Sequence, residues 1–115
     1  MKYTARYKPE FLEDMTTYAS MKARIEKKVL AILDAPYHNT EPLEKRPGHD
    51  LRGIRSKRID RNFRILFTIC EECRRLFPDK GKACRYCDPK LPAGCIIFFT
   101  VKPHKVVYLE DKPIS

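Results

Sequence analysis

The chain has 115 residues and a mass of 13.6 kDa, with 43% hydrophobic and 34% charged residues. That is a globular composition with enough length for one domain and one core, and it excludes a disordered or membrane-embedded chain. No apolar run approaches the ~20 residues that span a bilayer, and the opening MKYTARYKPE lacks the apolar stretch of a signal peptide, so a cytoplasmic protein with no membrane partner is expected. Twenty-four Lys and Arg against fifteen Asp and Glu leave a net charge of +9, which favours a polyanionic partner, either nucleic acid or an acidic protein. Residues 45–64 concentrate the excess, with Lys45, Arg46, Arg52, Arg55, Lys57, Arg58, Arg61 and Arg64 against Asp50 and Asp60.

In chain order, Lys2, Thr4 and Arg6 alternate with Tyr3, Ala5 and Tyr7, the period of a half-buried strand over residues 2–7. Pro9 and Glu10 suit the first turn of a helix. From there Phe11, Met15, Tyr18, Ile25, Val29, Ile32 and Leu33 form one apolar stripe, which ends at Ala35-Pro36. Thr16-Thr17 and Ser20 favour a break into two helices, with Ser20 capping the second. Residues 36–50, with Pro36, Asn39, Pro42, Pro47 and Gly48, read as loop. Strands follow over 51–59 and 63–70 around Asp60-Arg61-Asn62, and over 95–101 and 105–109 around Lys102-Pro103-His104. The expected fold is α+β: an N-terminal strand, one or two helices, then a mainly antiparallel sheet of four further strands with the helices on one face.

Alternation assigns faces within the 51–70 hairpin. Arg55 and Lys57 share one side of their strand, and Phe63, Ile65, Phe67 and Ile69 share the side opposite Arg64. A two-residue turn at Arg61-Asn62 sets Arg55 and Lys57 on the face of Arg64, and this is the preferred register. A three-residue turn pairs Arg64 with Arg58 and sends Lys57 to the other face. Cations gathered on one sheet face repel one another unless an anion visits, and this suggests a phosphate site.

The run LRGIRSKRIDRNFRILFTI with VKPHKVVY, the opening KYTARYKPEFLEDM and the helix end AILDAPY resemble the RelE/ParE superfamily of toxins from toxin–antitoxin operons. The resemblance covers residues 2–70 and 95–109. It implies a metal-independent mRNA endoribonuclease, acting on the ribosome or on free RNA, with a cognate antitoxin as partner. By the same resemblance Arg64 is the transition-state clamp, Lys57 and Arg55 hold phosphate and assist proton transfer, His104 is an acid or base, and Tyr108 stacks on a base or donates a proton. Arg52, Arg58 and Arg61 extend the RNA-binding face. Lys102-Pro103 departs from the glycine usual before the histidine. Two alternatives stay open: a ParE-like inhibitor of DNA gyrase, and a non-toxic zinc-containing nucleic-acid-binding domain.

Cys70-Glu-Glu-Cys73 and Cys84-Arg-Tyr-Cys87 are two CxxC pairs ten residues apart. They frame a long connection between strands, within the single domain 1–115, where the superfamily has a short turn. So long a loop needs its own source of order. Four thiolates on a tetrahedral Zn²⁺ supply it, so residues 70–95 are expected to be a zinc-binding insertion with a structural ion on Cys70, Cys73, Cys84 and Cys87. Cys95 is either a small apolar residue opening its strand or a replacement ligand.

Overall fold

The computed structural model describes residues 3–43, 45–46, 49–50, 52–76 and 94–103. Strand β1 (Thr4–Tyr7) leads through Lys8 into α1 (Pro9–Thr17), with proline at the first helical position, where its missing N–H costs nothing. A 3-10 turn (Ala19–Met21) separates α1 from α2 (Lys22–Asp34). The break lies where the two threonines and Ser20 place it, but Ser20 sits inside the 3-10 turn and does not cap α2. Tyr18 leaves helical geometry and its carbonyl accepts the Met21 N–H at 2.8 Å. The chain therefore turns directly into α2, without the extended residue a side-chain cap requires.

Where residues 36–50 are described, short strands replace the expected loop. These are β2 (Glu41–Pro42), β3 (Lys45–Arg46) and β4 (His49–Asp50). Strand β2 pairs antiparallel with β5 (Ile54–Arg58), and β3 pairs with β4. Pro42 is tolerated because β2 is the sheet edge and needs no donor on its outer side. Strand β6 (Phe63–Ile69) stops one residue short of the expected end, and Cys70 instead opens α3 (Cys70–Leu76). Glu71 and Glu72 in its first turn and Arg74 and Arg75 in its last match the helix dipole. Strand β7 spans Cys95–Pro103, two residues longer than expected; residues 105–109 lie outside the described residues.

The main sheet has the order β1-β7-β6-β5-β2, parallel only between β1 and β7. On one face the helical stripe of Phe11, Ile25, Val29, Ile32 and Leu33 packs against Ile65, Phe67, Ile69, Ile96, Phe98 and Val101. Each fully buried side chain of this kind contributes ~1.5–3 kcal/mol relative to exposure. Strand alternation puts a second cluster on the other face: Ile54, Leu66, Cys70, Cys95, Ile97 and Phe99. Cys95 thus takes part in apolar packing at the start of β7. Among the described residues no helix is long and apolar enough to cross a membrane.

Candidate functional site

The β5–β6 turn decides which basic residues meet. The Asp60 carboxylate accepts the N–H groups of Asn62 at 2.8 Å and Phe63 at 3.0 Å, and these bonds hold its pKa below the ordinary value. The Ile59 N–H donates to the Phe63 carbonyl at 2.9 Å, closing a three-residue turn. The register is therefore Arg58↔Arg64, Lys57↔Ile65 and Ser56↔Leu66; the expected two-residue turn is overturned and the three-residue register stands. Arg64 also faces Lys102 across β6–β7. Three cations consequently lie in a row across β5, β6 and β7, an arrangement that destabilises a sheet by like-charge repulsion unless offset.

Within that row Arg64 is half-buried, Arg58 is exposed, and the Arg64 Nη1 donates to Ser56 Oγ at 3.2 Å. Among the described residues no carboxylate pairs with Arg58 or Arg64. Arg61 at the tip of the turn and Arg52 before Gly53 are exposed as well. Gly53 adopts φ 96°, a left-handed conformation that suits glycine, and its carbonyl accepts the Thr68 hydroxyl at 2.9 Å.

Lys57 points to the helix-side face, away from Arg64. It is buried, its Nζ donates to the His38 carbonyl at 3.4 Å, and burial followed by the nearby Lys28 charge lowers its pKa. Arg55 shares that face. Its Nε and Nη2 hold Glu72 at 2.7–3.1 Å, its Nη1 donates to Thr40 Oγ1 at 3.0 Å, and its guanidinium lies 4.8 Å from the centre of the Tyr37 ring. Most of its donors are therefore engaged within the protein. Glu71 accepts the hydroxyls of Tyr3 and Tyr37, and the bond from Tyr3 heads the causes that push that phenol up to about 12. The two glutamates of Cys-Glu-Glu-Cys thus fasten α3 to Tyr3 just before β1, to the loop after α2 and to β5.

Cys70 and Cys73 are buried one helical turn apart, a spacing that puts both thiols on one side of α3, as two ligands of one ion require. Cys73 Sγ donates to the Gly53 carbonyl at 3.7 Å. Among the described residues no three His, Cys, Asp or Glu side chains converge on a metal position. Cys84, Cys87, His104 and Tyr108 lie outside the described residues.

Asp14 is a participant that sequence reasoning missed. It is 6% exposed and sits where β7 runs past the end of β1. There its carboxylate accepts the Val101 N–H at 3.1 Å, the Thr100 hydroxyl, and Lys102 Nζ at 2.8 Å. Glu10 accepts a further bond from Lys102 at 2.7 Å. Burial alone lowers the Lys102 pKa, but the two carboxylates outweigh it and raise it. The available signal was a carboxylate at the i+3 position within the stripe Phe11, Met15, Tyr18.

No family model matches the chain, and no curated protein does. Solved structures do. The RelBE2 toxin–antitoxin complex of Mycobacterium tuberculosis contains a chain with TM-score 0.59 and 16% identity, covering 90% of this chain and 99% of its own length. YafQ of E. coli strain BL21(DE3) superposes with TM-score 0.59 at 8% identity, covering 92% and 98%, and a histidine-to-glutamine mutant of YafQ with TM-score 0.56 at 9% identity. At these identities the likeness concerns architecture: the protein shares the fold of the RelBE2 chain and of YafQ.

Proposed function

We propose that the protein is the toxin of a toxin–antitoxin pair and cleaves mRNA without a catalytic metal. The observation that carries this reading is the facing pair Arg58 and Arg64, cationic and without a carboxylate partner among the described residues, on a fold shared with a chain of a toxin–antitoxin complex. In the reaction the ribose 2′-OH attacks the adjacent phosphate as a base removes its proton, and an acid protonates the departing 5′ oxygen. Arg64, steadied by Ser56, stabilises the added negative charge on phosphorus, usually the largest single contribution. Arg58 and Arg61 hold flanking phosphates. Lys57 and Arg55 face away from Arg64, so proton transfer in this reading falls to His104 and Tyr108. The antitoxin lays an acidic segment over the basic face, where opposite charge speeds association.

The test is induced expression of the wild type and Arg64→Ala, scoring growth and mapping mRNA 5′ ends. Growth arrest with new ends, both absent in Arg64→Ala, supports the reading. Arrest without new ends moves the protein to a binding toxin of the gyrase-inhibiting kind, and no arrest removes the toxin role.

The same proposal includes a structural zinc ion on Cys70, Cys73, Cys84 and Cys87, outside the reaction. Its support is the paired CxxC spacing and the common side of α3 taken by Cys70 and Cys73. Protein purified without chelator should carry one zinc per chain by elemental analysis, and Cys84→Ser with Cys87→Ser should carry none. Metal-free wild-type protein of unchanged stability would sink it.

A further inference from the structure

We propose that Asp14 is a positioning residue for RNA cleavage, acting through Lys102 and the backbone of β7; the inference rests on the ribonuclease reading above. Strand β1 pairs with β7 as far as Tyr7↔Phe98, and among the described residues no strand flanks the rest of β7 on that side. Asp14 takes up the backbone and side-chain donors there. It accepts the Val101 N–H, the Thr100 hydroxyl and the Lys102 ammonium, three donors on consecutive residues. A carboxylate this buried is costly unless paired and hydrogen-bonded, and here it is both.

Two consequences reach the site. Lys102 stands directly across from Arg64, and Asp14 with Glu10 draws its ammonium to their own side, relieving repulsion in the cation row. Arg64 and Arg58 are thereby left as the cations of the row available to substrate. The same bonds fix the end of β7 before residue 104, the segment where Lys102-Pro103 replaces the glycine that the resemblance leads one to expect. Asp14 therefore holds both the charge balance around Arg64 and the exit path of β7, while touching no substrate itself.

Cleavage of mRNA by purified protein, both free and on ribosomes, followed at saturating and limiting RNA, tests this with Asp14→Asn, Lys102→Met and Lys102→Arg. An Ile32→Val core variant reports the effect of lost stability alone. Misplacing a reacting group by about 1 Å costs up to ~10²-fold. Asp14→Asn and Lys102→Met should thus lower kcat by ~10- to ~100-fold with KM within about twofold, while Lys102→Arg keeps most of the activity and Ile32→Val keeps kcat. Overturning results are unchanged kcat in Asp14→Asn and Lys102→Met, or a loss no greater than their unfolded fraction. If the wild type cleaves and Arg64→Ala does not, those results sink this inference alone. A wild type that does not cleave sinks the ribonuclease reading and this inference with it.

Discussion

Arg64→Ala should cost ~10²–10³ in kcat on RNA, the loss typical when one oriented donor to a transition-state charge is removed, and it should do so without unfolding the protein. Arg64 is half-buried and, among the described residues, its side chain hydrogen-bonds to Ser56. Against that bond stands the repulsion from Arg58 and Lys102, its cross-strand neighbours. Truncation removes both, so the urea midpoint should stay in place or rise slightly. Arg64→Lys should recover only part of the activity, because an ammonium lacks the planar fork that grips two phosphate oxygens. Arg58→Ala, removing an exposed residue at the strand end, should weaken RNA binding with a smaller effect on kcat. Retention of full activity in Arg64→Ala would detach the clamp role from this residue.

The opposite pattern is expected at Arg55. Arg55→Ala should destabilise the fold by about 3–5 kcal/mol, the cost of leaving one member of a buried ion pair unpaired. The Glu72 side chain is 8% exposed and holds Arg55 through three contacts; deleting the guanidinium strands that carboxylate and strips Tyr37 of its stacked cation. Total stabilities of small domains lie near 5–15 kcal/mol, so urea unfolding should show a large drop. Replacing both partners, Arg55→Met with Glu72→Leu, should restore most of it, because the strength of such a pair is largely offset by the cost of burying its charges. A phosphate-binding role would yield the reverse: weaker RNA binding at unchanged stability. Equal stability of Arg55→Ala and wild type would show that the pair contributes nothing.

These two arginines also mark what was legible in the sequence. Their strands were, because Phe63, Ile65, Phe67 and Ile69 alternate cleanly and one face had to be buried. Their relative face was not, because it depends on one turn residue. Asp60 has a carboxylate that collects two backbone N–H groups, and this lengthens the turn by one residue and reverses every side chain on β5 relative to Arg64. The partner of Arg55 was hidden for another reason: Glu72 lies 17 positions away, on a helix that interrupts an apolar run ending in Cys70. Local pattern carries no information about such a contact. Asp14 was the more recoverable omission, since an acid on an apolar stripe must find donors somewhere. The helix pair was legible in outline, while the entry into α2 was decided by the backbone at Tyr18 and not by the hydroxyl of Ser20.

The parallel pairing of β1 with β7 joins Thr4 to Cys95, contacts separated by most of the chain. Pairings so distant in sequence form late, because closing the loop precedes any gain from the contact. The helical hairpin that follows β1 can fold while the chain is still being made. The Lys102 neighbour of Arg64 and the donors to Asp14 arrive only with β7. A ribosome-bound chain stalled before residue 95 should accordingly remain open to protease and inactive on RNA. In the ribonuclease reading, the site around Arg64 is complete only after β7 has emerged from the ribosome.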